Sequence, residues 1–226
     1  MIRDRSPGRA ADSLDPAAAF FDVDDTIIRG FTIAALIHFI RDELNDPVLV
    51  SRLLQLERLA PVRREREQLT ADCFELLAGQ AWSQMLAWGQ RWYESTGRSQ
   101  LISQTIDRLH EHRMRGDKVV FVTGSWRPCV EPIARDLHAD AVYCCEVGVE
   151  ADKLTGAVSH ILVAEGKAEV ARNFASQGGI ALENCYAYGN DWSDAPMLAA
   201  VGHPVAVRPT AALAETATAQ GWEVLN

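Results

Sequence analysis

The stretch Ala17-Ala18-Ala19-Phe20-Phe21-Asp22-Val23-Asp24-Asp25-Thr26 runs from an apolar segment straight into three carboxylates. A short apolar run of this kind predicts a buried strand of a parallel sheet whose C-terminal end carries polar chemistry. If the extended backbone persists, alternation puts Asp22 and Asp24 on the same side. Two carboxylates held that close at the end of a buried strand are costly to desolvate without a cation. A hard divalent ion such as Mg²⁺, which takes oxygen ligands, supplies that charge. Taken alone, the same residues also suit an acidic strand-to-loop turn with solvated aspartates.

Working outward, the pattern changes after residue 30. The segments TIAALIHFIRDEL, DPVLVSRLLQLERLA, LTADCFELLAG and WSQMLAWGQRWYES carry apolar residues at helical spacing, with Asp46-Pro47 and Gly79 as breaks. A further amphipathic helix is expected from Ser99 to Arg115. Lys118 to Thr123 (KVVFVT) then reads as a second strand stopping at Gly124, and Arg127 to His138 as a helix. A third strand covers Ala141 to Cys145, followed by a small hairpin around DKLTG, a helix over Gly166 to Gln177 and a fourth strand at Cys185 to Tyr188. A helix beginning at Pro196, a fifth strand at Pro204 to Val207, a helix over Thr210 to Gln220 and a short extended end complete the pattern.

Strands alternating with helices predict an α/β fold, a Rossmann-like doubly wound parallel sheet with an inserted all-helical cap. The expected division is a flexible tail over residues 1–16, a core domain over 17–30 and 100–226, and a helical cap over 31–99. Ligands bind such sheets at the C-terminal strand ends, so the insertion is placed to cover the site, and to open and close over it.

Three later segments fall at predicted strand or helix ends. In FVTGS, the Thr123 hydroxyl and the Gly124 backbone can grip phosphate oxygens beside a helix N-terminus. Lys167, one of only three lysines, opens a predicted helix in EGKAEV. In YGNDWSDAPML, Asn190, Asp191 and Asp194 offer oxygen ligands for a cation, or else form an Asx-rich turn before a helix.

Together and in this order, FDVDDT, TGS, GK and GNDWSDAPML resemble the haloacid dehalogenase-like hydrolase superfamily, and within it the phosphoserine-phosphatase-like branch. The resemblance runs from Ala17 to the C-terminus, helical cap included. It implies a Mg²⁺-dependent phosphatase acting on a small phosphorylated metabolite. Asp22 matches the nucleophile that forms an aspartyl-phosphate. Asp24 matches the general acid and base. Its presence favours phosphoryl transfer over dehalogenation. Thr123 and Lys167 match the phosphate clamp. The Asp22 side chain and the Asp24 carbonyl match two metal ligands. The third metal position falls on Asn190, where the family carries an aspartate, or on Asp191 by a one-residue shift, with Asp194 at the expected spacing. Phosphoserine phosphatases carry a glutamate that reads the substrate amine. Here Phe31 stands in its place, so phosphoserine is not the expected preferred substrate. Arg29, Phe31, Trp126 and Arg127 are candidates for the pocket wall, and equally for packing or surface charge.

A net charge of −9 opposes nucleic acid and anionic membranes as partners. The five cysteines lack metal-ligand spacing and read as buried free thiols, and the polar start of the chain lacks a secretory signal, so a cytoplasmic protein is expected. Trp82, Trp88 and Trp92 read as cap core. The same catalytic residues would also serve a phosphotransferase or phosphomutase, and loss of the family aspartate at Asn190 would suit a silent phosphate-binding module.

Overall fold

Strand β1 (Ala18–Phe21) is fully buried and lies near the middle of a seven-stranded sheet. The computed structural model describes residues 16–41, 44, 46–59 and 66–226, and the tail expected over residues 1–16 lies outside them except for its last residue. Small and apolar side chains let β1 pair on both edges while helices cover both faces. It runs parallel to β2 (Lys118–Trp126), with Phe20 opposite Val120, and parallel to β5 (Tyr186–Gly189), with Phe20 opposite Ala187. Outward from β2 come β3 (Ala141–Glu150) and β4 (Lys153–His160). Outward from β5 come β6 (His203–Val207) and β7 (Glu223–Leu225), giving the order β4-β3-β2-β1-β5-β6-β7. All neighbours are parallel except β3 and β4.

The chain leaves β1 toward β2, β3 and β4, then crosses back through α7 (Glu165–Gly178) to β5. The order therefore reverses beside β1, and the crevice outside the β1 and β5 C-termini is the topological switch point where ligands bind in such sheets. Asp22 and Asn190, the residues that follow these two strands, both lie there.

Four helices, α1 (Thr32–Ile40), α2 (Pro47–Leu59), α3 (Arg66–Leu76) and α4 (Trp82–Ser95), lie between β1 and α5 (Ser103–Arg115). Trp88 and Trp92 are buried in α4, and Phe74 of α3 and Trp82 pack around Trp126 with ring centroids 5.0 and 6.0 Å away. Two of the places that fasten this layer to the sheet layer involve α4. Helix α4 lies on α6 (Arg127–Leu137) so closely that a Cβ at Gly89 would stand 1.8 Å from the Pro128 carbonyl oxygen. Nearby, Tyr93 donates to Asp136 at 2.6 Å. At the second place the β3–β4 hairpin reaches up. The Asp152 carboxylate accepts from the Ser83 backbone at 2.9 Å and hydroxyl at 2.6 Å, at the start of α4.

Several boundaries differ from expectation. The strand after Lys118 does not stop at Gly124. It continues to Trp126 through a register irregularity after Val122, because β3 runs on beside it and pairing resumes at Trp126–Cys145. For the same reason β3 extends to Glu150 as one arm of the hairpin, turning at Ala151 and Asp152 with φ of 45° and 63°. The helix expected from Ser99 begins at Ser103. Gly97–Gln100 is a 3-10 turn, and Leu101 and Ile102 are held extended by backbone pairing with Ile28 and Ile27. The extended C-terminus is the seventh strand, parallel to β6. All five cysteines are free and buried. Among the described residues, no helix is long and apolar enough to cross a membrane.

Candidate active site

Immediately after β1 the backbone turns away from the sheet. Thr26, Ile27 and Ile28 all donate their N–H groups to the Val23 carbonyl, and Asp25 takes a left-handed conformation with φ 54°. The Asp25 side chain stabilises the turn by accepting the Gly30 N–H at 2.7 Å. This loop leaves Asp22 at the strand end and returns the chain so that α1 starts over it. The Asp24 carboxylate accepts the Thr32 N–H at 3.0 Å and so caps α1, a service that Phe31 at the cap position does not perform. The Thr32 hydroxyl lies 2.6 Å from that of Ser125 on β2, tying the capped helix to the neighbouring strand.

Lys167, in the first turn of α7, is 3% exposed. Its ammonium donates to Asp22 at 2.7 Å and to Asp194 at 2.6 Å. Asp194 uses its other oxygen to accept the Asn190 and Asp191 backbone N–H groups at 2.9 and 3.0 Å, which closes the turn after β5. Space for this carboxylate exists because residue 189 is glycine. A Cβ there would stand 2.4 Å from that of Asp194. Asp191 is likewise committed, accepting from the Ser193 hydroxyl at 3.1 Å and the Thr210 hydroxyl at 3.5 Å.

These groups meet at a cavity of about 290 Å³. Asp22, Asp24, Thr123, Gly124, Lys167, Asn190, Asp191 and Asp194 all line it, at the ends of β1, β2 and β5 and the start of α7. Phe31 lines it from the insertion side. Arg29 is exposed, and its N–H pairs with the Gln100 carbonyl. Arg127 lines a separate cavity with Cys144 and Glu146, and its guanidinium lies 3.8 Å from Glu131. Neither arginine is among the described residues lining the larger cavity, and Trp126 is buried against Phe74 and Trp82.

Five aspartates and one lysine line this cavity among the described residues. The imbalance shows in the acidities. Burial, and next the charge of Asp194, push Asp22 from 3.8 up to about 7, even though Lys167 acts in the opposite sense. Burial likewise pushes Asp24 up to about 6, against the hydrogen bonds from Thr32. Lys167 is raised above the ordinary lysine value because its two carboxylate partners outweigh its own desolvation.

The donor set suits a hard cation of one kind. Among the described residues, no three acidic, cysteine or histidine side chains stand together as a ready-made cage. Mg²⁺ needs no such cage. It keeps several waters and binds through one or two carboxylates plus substrate phosphate. The residual negative charge beside Asp22 and the amide of Asn190 on the cavity wall fit that mode.

Three residues that matter here carried little signal of their own. Thr26, whose hydroxyl faces Asp22 at 3.3 Å, and Ser125 sit inside segments already singled out, DVDDT and FVTGS. Thr210 arrives from the far end of the chain, and nothing in its local sequence marks it.

The chain is similar to known proteins over most of its length. The family model for haloacid dehalogenase-like hydrolases matches residues 19–199. A probable phosphatase of Mycobacterium tuberculosis is 34% identical over 218 residues, covering 92% of this chain and 75% of the relative. A phosphoserine phosphatase of the same organism is 30% identical over 223 residues, covering 92% and 70%. Among solved structures, a Bordetella pertussis protein of unknown function superposes with a TM-score of 0.80 at 25% identity, covering 94% of this chain and 99% of its own. A substrate-bound phosphoserine phosphatase superposes at 0.72 and 20% identity, covering 95% and 94%.

Proposed function

Because the chain belongs to the haloacid dehalogenase-like hydrolases and is a phosphoric monoester hydrolase, we propose that Asp22 is its nucleophile, in a Mg²⁺-dependent reaction passing through an aspartyl-phosphate. The observation that carries this reading is the placement of Asp22 and Asp24 on one cavity wall, with Lys167 bridging Asp22 to Asp194.

In the first step an Asp22 oxygen forms a bond to phosphorus as the bond from phosphorus to the leaving oxygen breaks. Asp24, whose pKa is raised by burial, gives its proton to the departing alcohol. In the second step Asp24, now a carboxylate, takes a proton from water as that water attacks phosphorus. The bond to Asp22 then breaks, and inorganic phosphate leaves. Lys167, the Thr123 hydroxyl and the Gly124 backbone receive the equatorial phosphate oxygens.

Asp22, the Asp24 carbonyl and Asn190 would hold the Mg²⁺, which when bound offsets the repulsion between the nucleophile and an anionic phosphate. Asn190 is preferred to Asp191 because the Asp191 carboxylate is already engaged by Ser193 and Thr210. Asp194 acts by positioning, since Lys167 and two backbone N–H groups take both its oxygens. Phosphoserine is not the preferred substrate on this reading, because Phe31 stands at the cavity and no carboxylate faces it from the insertion among the described residues.

The test is phosphate release from a panel of phosphomonoesters with Mg²⁺, repeated with chelator and with Asp22→Asn. Release should require the metal and fall to background in the variant. Borohydride quenching during turnover should convert residue 22 to homoserine, read by mass spectrometry. Unlabelled residue 22 in an active enzyme would rule out the covalent route.

A further inference from the structure

The cavity has two chemically opposite walls. The sheet edge supplies the carboxylates, the ammonium and the phosphate-gripping groups already described. The facing wall comes from the insertion: Phe31 just before α1, Ile33 and Ile37 on α1, Leu53 and Leu56 on α2, and Cys73 on α3. Ile37, Leu53 and Cys73 are buried and belong to the hydrophobic core, so this wall is set by packing. Among the described residues that line the cavity from this side, none is charged, and the Thr70 hydroxyl is the polar exception.

With the phosphate at the sheet edge, the leaving group projects toward the insertion. An ammonium or carboxylate on that group would lose its water against hydrocarbon and, among the described residues of this wall, find no charged partner. An apolar group there leaves water for a matching surface, worth roughly three- to fourfold in affinity per buried methylene. The cavity sits at the lower end of the range for small-molecule sites, about 300–1,000 Å³, so the phosphate and a short chain or single ring fill it.

We infer that the leaving group of the preferred substrate is an uncharged, largely apolar alcohol of modest size, selected by the hydrocarbon wall of α1, α2 and α3 opposite Asp22. The inference rests on the phosphatase reading of the same site and adds the substrate class to it.

The test uses the full chain with Mg²⁺ and a series of n-alkyl monophosphates from ethyl to octyl, with O-phosphoserine and phosphoethanolamine for comparison. The alkyl alcohols differ little in acidity, so chain length reports binding and not leaving-group chemistry. The value of kcat/KM should rise roughly three- to fourfold per methylene over the first few carbons and then level off. Phosphoserine should fall well below hexyl phosphate. Leu56→Asn, at a half-buried position, should lower the ratio of hexyl to ethyl turnover, and so should Ile37→Ser if that variant folds. A flat or falling dependence on chain length, or phosphoserine turned over as fast as hexyl phosphate, would overturn the inference while leaving the phosphatase reading intact. Phosphate release from no member of the series or the wider panel would remove both.

Discussion

Lys167 and Asp194 form a buried ion pair, 2.6 Å from ammonium to carboxylate, that joins the start of α7 to the turn after β5. Both side chains are almost inaccessible, and the pair fixes where the ammonium stands relative to Asp22. Replacing Asp194 by Asn keeps the shape and removes the charge, while Lys167 retains Asp22 as a partner. A hydrogen bond to a charged group is worth about 1.5–3 kcal/mol, so Asp194→Asn should lower the melting temperature by roughly 3–12 °C. Loss of position at the phosphate site should lower kcat by about a hundredfold. Thermal denaturation and steady-state kinetics on the same preparation check both figures.

The raised pKa values of Asp22 and Asp24 couple metal binding to pH. The folded protein holds protons on these carboxyls that the unfolded chain has already released. The stability this contributes is fully present below about pH 4. It is lost as pH rises through about 6 and about 7, the folded-state values of Asp24 and Asp22. On the proposed reading Mg²⁺ binds the ionised pair and competes with those protons, so it should raise the melting temperature more at about pH 8 than at about pH 5. Equal shifts at both pH values would place the ion elsewhere.

Asn190 brings an amide to the cavity wall where a carboxylate would add charge. Asn190→Asp should lower the Mg²⁺ concentration giving half-maximal activity several-fold, and Asn190→Ala should raise it. Asp191→Asn should act chiefly on stability, because its partners are Ser193 and Thr210. Metal titrations of the three variants separate the roles. A larger metal effect from Asp191→Asn than from Asn190→Ala would reverse the assignment.

At Gly89 the insertion lies directly against the sheet layer. The Cβ of Gly89→Ala would overlap the Pro128 carbonyl, so α4 and α6 must separate. Overpacking of this kind costs about 1–3 kcal/mol, to be measured by denaturant unfolding. Loss of that contact also weakens the seating of α1, whose Ile33 and Ile37 line the cavity.

The order of elements was legible because each one carries its own period. β-Branched and apolar runs gave the buried strands, and residues at helical spacing gave the four inserted helices. Asp22, Asp24, Thr123 and Lys167 could be named because each falls at an expected strand end or helix start, where a parallel sheet gathers polar side chains. Boundaries were less legible where pairing with a distant strand overrides local signals. Gly124 reads as a stop, yet β3 holds the chain extended to Trp126, and the run after Cys145 was drawn into the hairpin that fastens α4.

What the sequence determined by itself is therefore local and chemical: which residues can carry charge, and that a conflict of carboxylates follows the first strand. Only the tertiary structure decided how that conflict is distributed. Lys167 lies 145 residues from Asp22, and Thr32 lies 93 from Ser125, so no local pattern records that they touch. The same holds for the cavity wall. Ile37, Leu53 and Cys73 read as ordinary helix core, and only the packing of three helices over the β1 end turns their hydrocarbon toward the site. Helical or strand periodicity is set by backbone geometry within a few residues. Which side chains share a cavity is set by how whole elements bury their apolar faces against one another.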